Sequence, residues 1–461
     1  MMSHRKQRSK PFARTGLAVV VAAMMVLGAC SEAETSADVS SDDDSTTSIE
    51  GNLEPTEGDG RTVLSRFQGA EWFNGDVPEP VAADDSLEPV KVGFINVDNA
   101  PVAAMPELHS AVDGWVEFVN NELGGVDGHP VEVVACPLGN ALSPEEAAGC
   151  ARKMVESEVV AVLGGIGLST GAALAVLEEN DIPWVGGIPV NPEEMSSDLS
   201  FQFSGGSPGA FTAMAHQAVT EDGADKVAVI YGDFPSVKAA AVDYGAGVAE
   251  ALGAEVTEVE YPMVSQDYTA PVQKAVEAQP DAILVSAADT SCAPIMQALS
   301  DLNNDATVYM VGSCADVRAI EQVGEENVVG TRFNIENRLD QTASSVADTE
   351  IYSYAMEQYA PGTTPESAAT VAFRGAMNLW VVLDEIGADA TPADIAGKLR
   401  ESSDQPSFDG HPYTCSVEQI PGFVSMCAPQ QVLVELTDAG ELVEVSDGWI
   451  DVPAILDNTI N

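Results

Sequence analysis

The chain has 461 residues, of which 45% are hydrophobic and 6% aromatic, enough apolar material for two or three packed domains. Its 73 acidic residues far outnumber its 19 lysines and arginines, and the formal net charge is −54. Because nucleic-acid binding needs clustered positive charge, this balance argues against any nucleic-acid partner.

Residues 1–29 are predicted to be a lipoprotein signal peptide. Five basic side chains precede the apolar stretch GLAVVVAAMMVLGAC, which is short for a membrane span. The stretch ends in LGAC, which is similar to the bacterial lipobox, where the cysteine is lipidated and becomes the new N-terminus. We therefore expect Cys30 to anchor the mature protein to the outer face of the cell membrane. Ordinary cleavage near Ala29, with an unmodified cysteine, is the alternative.

Residues 30–88 are predicted to be an acidic tether. Ser, Thr, Asp and Glu dominate SEAETSADVSSDDDSTTSIEGNLEPTEGDG, and large apolar side chains are scarce. Such a segment cannot offset its chain entropy by burial, so we expect it to be disordered. After removal of the signal peptide, 14 basic residues face 73 acidic ones, a net charge of −59.

From residue 91 onward, short apolar strands alternate with helices. The strand KVGFINV precedes the helical pattern ELHSAVDGWVEFVNNEL, and VEVVAC precedes SPEEAAGCARKMVES. The same alternation continues through VVAVLGGI, GAALAVLEEN, IPWVGG and GAFTAMAHQAVTED, and again from KVAVIYG to TVYMVGS. Apolar, β-branched strands separated by helices predict parallel sheets that are covered on both faces.

Two breaks in the alternation indicate a hinged, two-lobed molecule. They are FQFSGGSPG, near residues 201–208, and TRFNIEN, near residues 331–337. Near the C-terminus, YTCSVEQIPGFVSMC, QQVLVELT and ELVEVSD alternate with period two and predict hairpins. The fold class is therefore α/β, with two doubly wound parallel-sheet lobes joined by a multi-strand hinge. Lobe I would comprise residues 89–205 and 334–407, and lobe II residues 206–333 and 408–461.

Six cysteines remain besides Cys30, and they allow fifteen pairings. An exported chain can keep disulfides. Pairing of sequence neighbours is the simplest scheme, because the two cysteines then flank one helix or one hairpin. The predicted bridges are Cys136–Cys150, Cys292–Cys314 and Cys415–Cys427. A metal site is the rival interpretation, but the chain has no C-x-x-C and its histidines are scattered, so we expect no metal or other cofactor.

The segment GLSTG, residues 167–171, fits the G-x-S-x-G pattern of a hydrolase nucleophile elbow. A hydrolase also needs a downstream base, and only His216, within a helical pattern, and His411, in a turn, are available. In a binding protein, Ser169 and Thr170 would stand where a strand ends and a helix begins. Free N–H groups and the helix dipole attract a carboxylate there. Simple capping of the helix is a third interpretation.

Five stretches, in order, resemble the substrate-binding proteins of bacterial ABC transporters, of the leucine/isoleucine/valine-binding type. They are VKVGFINVDNAPVAA, NNELGGVDGHPVEVVAC, VVAVLGGIGLSTGAALA, IPWVGGIPVNPE and PMVSQDYTAPVQKAVEAQPDAILVS. The likeness covers about residues 89–445. It implies a type I periplasmic binding protein clamshell, without enzymatic activity, whose two lobes close on a small ligand.

The resemblance also implies a set of ligand-binding residues in lobe I. In the family, the serine that matches Ser169 holds the α-carboxylate of an amino acid with nearby backbone N–H groups. Val190 stands where the family often has a threonine, so one hydroxyl donor is missing. Met105 stands where the family often has an aromatic lid residue, although a core methionine is the plain alternative. The lobe I residues are Asn99, Met105, Ser169, Thr170, Gly187, Ile188 and Val190.

In lobe II the sequence departs further from the family. The family usually has a Tyr-Gly pair where this chain has DFPSV, so Phe234 would form the aromatic wall. Amino-acid binders carry a glutamate for the ammonium group where this chain has Cys314-Ala315-Asp316. Asp316 or Asp289 would have to substitute; otherwise the ligand need not be an α-amino acid. The lobe II residues are Phe234, Ser236, Ala287, Asp289 and Asp316.

These features predict an exported, lipid-anchored, monomeric solute-binding protein. It would capture a small polar ligand, such as an amino acid, an amide or a short carboxylate, and deliver it to an ABC transporter permease. Three alternatives stay open: a ligand-sensing receptor domain without transport, a structural surface protein with a degenerate cleft, and a serine esterase that uses the GLSTG elbow.

Overall fold

The alternating strands and helices assemble into two separate sheets. The computed structural model describes residues 80–265, 267–302, 304–337, 343–363 and 368–460. The predicted signal peptide, Cys30 and most of the predicted tether lie outside the described residues.

The first sheet is entirely parallel and has the strand order β2-β1-β3-β4-β5. Its strands are β1 (Val90–Val97), β2 (Val131–Leu138), β3 (Ala161–Gly164), β4 (Trp184–Val185) and β5 (Ser200–Phe201). The helices between them are α1 (Pro106–Glu122), α2 (Pro144–Glu156), α3 (Gly171–Glu178) and α4 (Pro192–Ser196). Local sequence signals set these boundaries: Ser143 caps α2 by accepting a hydrogen bond from the Glu146 N–H, and Pro144 follows at the first helical position.

The second sheet has the order β12-β11-β10-β9-β8-β6-β7. Its strands are β6 (Lys226–Gly232), β7 (Glu255–Tyr261), β8 (Ala282–Val285), β9 (Thr307–Met310), β10 (Arg332–Ile335), β11 (Val432–Leu436) and β12 (Leu442–Glu444). Strands β6 to β10 are parallel, whereas β11 and β12 pair antiparallel at one edge. The predicted hairpin of QQVLVELT and ELVEVSD is therefore confirmed, but YTCSVEQIPGFVSMC forms turns and isolated bridges instead of strands.

The second sheet carries helices on both faces. They are α5 (Gly206–His216), α6 (Pro235–Ala239), α7 (Gly247–Ala251), α8 (Thr269–Glu277), α9 (Asp289–Asp301) and α10 (Val317–Val323). Two π-helical turns, Gln217–Glu221 and Ala240–Ala246, extend α5 and join α6 to α7. In β6, Val227 and Val229 face one hydrophobic core and Ala228 and Ile230 face the other. The strand is apolar at every position from 227 to 230 because both faces of the sheet are covered.

The C-terminal part of the chain returns to the first lobe before it completes the second. Helices α11 (Ala343–Tyr359), α12 (Ala369–Ile386) and α13 (Pro392–Arg400) pack around the first sheet, and α14 (Val452–Thr459) packs against the second. Within residues 408–428, which the sequence assigned to lobe II, Phe408, Tyr413 and Ala428 belong to the core of the first sheet.

Three chain segments connect the two sheets and form the hinge. They are residues 202–206, residues 336–337 and residues 429–431. Gly206 lies in the first of them with φ of 54°, a left-handed conformation that glycine adopts without strain. Across the described ranges, none of the helices is both long enough and apolar enough to cross a bilayer.

Candidate functional site

A cavity of about 140 Å³ lies between the two sheets, beside the hinge. Its walls come from the segments that follow the carboxyl ends of β1, β3 and β4 on one side and of β7, β8 and β9 on the other. Doubly wound α/β folds bind their ligands at this end of the strands. The cavity is therefore the candidate ligand site.

The lobe I wall of the cavity is apolar. The loop after β1 contributes Ala103 and Met105, and the turns after β3 and β4 contribute further apolar side chains. Those side chains are Ile166, Leu168, Ile188 and Val190. Helix α12 adds Thr370 and Val371 where it approaches the hinge. This wall offers a ligand dispersion contacts and the exclusion of water, with few hydrogen bonds.

The lobe II wall combines serines and alanines with the larger apolar side chains of Val237, Met263 and Val311. Ser207 stands in the first turn of α5, Ser286 follows β8, and Ser313 lies in the loop after β9. Tyr261 also lines the cavity, but its hydroxyl donates to the Ser286 carbonyl oxygen at 2.8 Å. The serine hydroxyls are therefore the hydrogen-bonding groups that this lobe presents to a ligand.

Glu336 joins all three hinge segments at the floor of the cavity. Its Oε1 accepts hydrogen bonds from Ser204 Oγ at 2.9 Å, Gly205 N at 2.8 Å and Gln431 Nε2 at 2.8 Å. Its Oε2 accepts from Arg374 Nη2 at 2.7 Å. The exposed fractions of the Arg374 and Glu336 side chains are 1% and 8%. We call Glu336, Arg374, Ser204 and Gln431 the hinge cluster. The Arg374 guanidinium and the Glu336 carboxylate neutralise each other, so neither charge is available to pair with a ligand.

In the turn that contains Ser169, Leu168 lines the cavity, whereas Thr170 and the Gly167 carbonyl group belong to a buried polar network. The Thr170 hydroxyl donates to Glu194 Oε1 at 2.5 Å, and the Val190 and Asn191 N–H groups donate to Glu194 Oε2 at 2.9 and 3.0 Å. The Asn191 amide group donates to the Gly167 carbonyl oxygen at 2.7 Å. The Glu194 carboxyl group thus binds hydrogen-bond donors close to the position where a ligand carboxylate was predicted from the sequence.

Burial raises the pKa of Glu194 above its usual value, even though the hydrogen bonds from Thr170, Asn191 and Val190 lower it. The folded protein therefore favours the protonated carboxyl group more than the unfolded chain does. The contribution of Glu194 to the free energy of unfolding is fully present below pH 4.5, the pKa of a glutamate in the unfolded chain. It is lost as the pH rises through the higher pKa of Glu194 in the folded protein. Glu194→Gln, which is always neutral, lacks this dependence.

We expect the stability advantage of Glu194→Gln over the wild type to grow as the pH rises from 4.5 and then to level off. Urea unfolding at a series of pH values measures this difference. The neighbouring Glu193→Gln, which removes an exposed carboxylate, is the matched control and should follow the wild type. Parallel stability curves for Glu194→Gln and the wild type would contradict the prediction.

Buried Asn96 at the end of β1 fixes two of the cavity-lining loops. Its amide nitrogen donates to the Met105 carbonyl oxygen at 2.8 Å, and its amide oxygen accepts from the Ile166 N–H at 3.0 Å. The side chain is 1% exposed. Asn96 therefore holds Met105 and Ile166 in place relative to each other without lining the cavity itself.

The structure brings together some of the sequence-predicted site residues and leaves others outside the cavity. The predicted residues that line it are Met105, Ile188, Val190 and Ala287. Those with described side chains that do not line it are Asn99, Ser169, Thr170, Gly187, Phe234, Ser236 and Asp316. Asp289 begins α9, and its side chain lies outside the described part of the chain. The ligand-binding roles of all twelve stay predictions.

Asp316 and Phe234, which were predicted to bind the ligand, make contacts outside the cavity. Asp316 caps α10, and its Oδ2 accepts from Arg318 Nη2 at 2.7 Å. Burial alone would raise the pKa of Asp316, but the bonds from Arg318 and from the helix backbone hold it below its usual value. Phe234 is partly buried against the core of the first sheet. Val237, three residues further on, lines the cavity instead.

Sequence reasoning missed the apolar side chains of the GLSTG turn and the hinge cluster. Ile166 and Leu168 alternate with the residues that were singled out, and periodicity alone does not say which of them face a cleft. The hinge cluster did leave a signal. Arg374 is the only charged residue in the first fourteen positions of ATVAFRGAMNLWVVLDEI, and a lone charge in an apolar helix needs a buried partner.

The three predicted disulfides are confirmed. Cys136–Cys150 links β2 to α2, and Cys415–Cys427 closes the loop before β11. Cys292–Cys314 links the first turn of α9 to the loop after β9. This third bridge joins two segments that both line the cavity, at Ala287 and Ala288 on one side and Ser313 on the other.

The two histidines that an esterase could use do not line the cavity between the sheets. His216 and Trp449 line a separate cavity beside α14, and the His411 ring packs edge-on against Trp449 with centroids 5.2 Å apart. Ser169 is not among the residues of that cavity. No group of three or more His, Cys, Asp or Glu residues in the described ranges could hold a metal ion.

Comparison with known proteins places this geometry in a family. A periplasmic binding protein family model matches residues 89–415, whereas no curated protein sequence gives a significant match. Solved structures with the same fold include a leucine-binding protein from Thermotoga maritima, with 18% identity, a TM-score of 0.65 and coverage of 77% of this chain and 98% of that one. A fatty acid ABC transporter substrate-binding protein from Thermomonospora curvata has 16% identity, a TM-score of 0.68 and coverage of 82% and 96%. A Rhodopseudomonas palustris solute-binding protein in complex with 3,4-dihydroxybenzoic acid has 17% identity, a TM-score of 0.64 and coverage of 79% and 98%. The span matched by the family model covers both lobes, and the fold is that of the solved binding proteins. The chain therefore belongs to the periplasmic binding protein family.

Proposed function

We propose that this protein is an extracytoplasmic solute-binding protein that captures one small molecule between its lobes and delivers it to an ABC importer. The observation that supports the proposal best is the cavity between the two sheets, beside a three-segment hinge. In this mechanism the ligand contacts both lobes and shifts the equilibrium toward the closed form, and no bond is broken. The closed form, as a monomer, would then dock on the permease.

The range of ligands bound by the structural neighbours supports a solute-binding role without fixing the ligand. One neighbour is described as leucine-binding, one as a fatty acid transporter component, and one as a complex with a dihydroxybenzoic acid. The sequence favoured a small polar ligand, such as an amino acid, an amide or a short carboxylate. All of these are small molecules that a cleft between two lobes can enclose.

Ligand-induced closure is the test of the proposed function. The full chain would be screened against amino acids, amides and short carboxylates by thermal shift, and each hit would be examined by small-angle X-ray scattering. A true ligand should raise the melting temperature and reduce the radius of gyration. If hits raised the melting temperature without any compaction, the clamshell mechanism would be wrong.

Lipidation of Cys30 gives a separate prediction about location. In a bacterial host that processes lipoproteins, the wild-type chain should partition into the membrane fraction and incorporate an alkyne-labelled fatty acid. Cys30→Ser should lose the label and should no longer fractionate as a lipoprotein. The matched control is Ser31→Ala, which leaves the cysteine intact and should behave as the wild type. Retention of label in Cys30→Ser would show that the lipid is attached elsewhere.

Two alternatives have distinct tests. A ligand-sensing receptor would bind and close in the same way but would pass its signal to a partner other than a permease, so uptake of the ligand would not depend on this protein. A serine esterase would hydrolyse p-nitrophenyl esters, and Ser169→Ala would abolish the activity. His216 lines a separate cavity beside α14 and His411 packs against Trp449 of that cavity, and neither contact involves Ser169, which favours binding over hydrolysis.

A further inference from the structure

Building on the proposed solute-binding function, we propose that the ligand is an uncharged, mainly apolar molecule. Its apolar body would lie against lobe I and its single hydrogen-bonding group would face the serines of lobe II. The proposal depends on three observations. The cavity lining has no unpaired charged side chain, the nearby hydrogen-bond donors are paired within the protein, and the cavity is small.

An anionic ligand finds no counter-charge here. None of the described cavity-lining residues is Lys, Arg or His. Arg374, the nearest buried cation to the hinge, is committed to Glu336 at 2.7 Å. The donors near the Ser169 turn that could replace a cation, the Thr170 hydroxyl and the Val190 N–H, are occupied by Glu194. Beyond the signal peptide the chain has 73 acidic residues against 14 basic ones, and this excess repels anions.

A cationic or zwitterionic ligand finds no free carboxylate among the described side chains that line the cavity. Glu336 is the one acidic residue in the described lining, and four hydrogen-bond donors, one of them the Arg374 guanidinium, already bind its two oxygens. Asp316 is held by Arg318 and by the N-terminus of α10. Burying an ammonium group without a partner in an apolar cleft costs several kcal/mol, so a neutral ligand is preferred.

The polar groups that face the cavity suit one neutral hydrogen-bonding group. The hydroxyls of Ser207 and Ser286 make no hydrogen bond within the described part of the chain. Ser313 Oγ has only a long contact of 3.4 Å, with the Ala287 carbonyl oxygen. Each hydroxyl can donate to a ligand carbonyl oxygen or accept from a ligand N–H or O–H group. A primary amide or an alcohol at the end of an apolar body would use both capacities.

The size of the cavity limits the apolar body. About 140 Å³ is close to the roughly 150 Å³ of engineered apolar cavities that bind benzene. A six-carbon ring or a branched six-carbon chain therefore matches the space in this arrangement of the lobes. The ligand series for the test uses a branched chain of this size and varies the polar group and its charge.

The experiment is isothermal titration of the full chain with four compounds that share the same branched six-carbon skeleton. They are 4-methylpentanamide, which is neutral, 4-methylpentanoate, which is an anion, 4-methylpentylamine, which is a cation, and leucine, which is a zwitterion. We expect the amide to bind at least about tenfold more tightly than any of the charged compounds, because only the amide leaves no unpaired charge in the cleft.

Variants assign the binding to this cavity. Ser286→Ala should weaken binding of the amide several-fold, as expected for the loss of one hydrogen bond. Ser403→Ala, which changes an exposed serine outside the cavity, is the matched control and should leave the affinity unchanged. Tighter binding of leucine or the amine, lost in Asp289→Asn, would overturn the proposal and identify Asp289 as the ammonium partner.

The failure of this proposal can be distinguished from failure of the proposed function. If 4-methylpentanoate or leucine bound most tightly and compacted the protein, the proposal of a neutral ligand would be wrong. The proposed function of solute capture would still be supported. Binding of none of the four compounds at millimolar concentration would likewise overturn the assignment of size and charge. Failure of every screened solute to compact the protein would count against the proposed function as well.

Discussion

Replacement of Arg374 by methionine is expected to lower the free energy of unfolding by about 3–5 kcal/mol. The substitution removes the cation that Glu336 Oε2 contacts at 2.7 Å and leaves a carboxylate with an exposed fraction of only 8%. It also removes the donor that Arg374 Nη1 provides to the Glu336 carbonyl oxygen at 2.7 Å. Urea denaturation of the wild type and the variant measures the difference.

A double-mutant cycle separates two contributions to the lost stability. One is the loss of the Arg374–Glu336 interaction, and the other is the cost of leaving the Glu336 carboxylate buried without a cation. Arg374→Met with Glu336→Gln removes both charges, so the double variant should be more stable than Arg374→Met alone. The control is Lys398→Met, because the pair of Lys398 with Glu385 is surface-exposed, with side-chain exposures of 48% and 35%. Such pairs contribute about 0–1 kcal/mol. Equal losses for Arg374→Met and Lys398→Met would refute the structural role of the hinge cluster.

The hinge cluster also matters for closure. Its carboxylate binds residues from two hinge segments and Arg374 from lobe I, while Glu336 itself belongs to the remaining segment. A group that contacts all three segments fixes their relative positions. In the proposed mechanism, this restraint would make the lobes rotate about a defined axis, as a hinge of a few short segments requires.

Removal of the Cys292–Cys314 bridge is the second change with a large expected effect. The two cysteines are 22 residues apart, and a loop of this length corresponds to about 3 kcal/mol of stability in the chain-entropy account. Cys292→Ala with Cys314→Ala should also loosen the cavity wall, because both segments line it. Amide hydrogen exchange at Ala287, Ala288 and Ser313 should accelerate at least about tenfold relative to the wild type.

The Cys136–Cys150 bridge is the matched control. Its cysteines are 14 residues apart, so its removal should cost a similar free energy of unfolding. It links β2 to α2, and neither cysteine lines the cavity. Cys136→Ala with Cys150→Ala should therefore leave exchange in the cavity loops near the wild-type rate. Equal acceleration of those loops by both double variants would show that the effect is global rather than local.

The sequence by itself determined the architecture of this protein, because the signals for it are local and repeated. The alternation of apolar strands with helices predicted the two sheets, as at KVGFINV and VEVVAC, and capping signals such as Ser143-Pro144 set helix boundaries. The pairing of neighbouring cysteines was also predictable, since the two cysteines of each pair are only 12 to 22 residues apart in the chain.

Only the tertiary structure decided what lines the cavity. In the GLSTG turn, Thr170 faces Glu194 and Leu168 faces the cleft, and this choice depends on a carboxylate 24 residues away in the chain. Similarly, Glu336 and Arg374 are 38 residues apart, and their pairing depends on how α12 approaches the hinge. Pattern and spacing describe neighbours along the chain, whereas the charge and polarity of a cleft depend on which distant groups fold against each other.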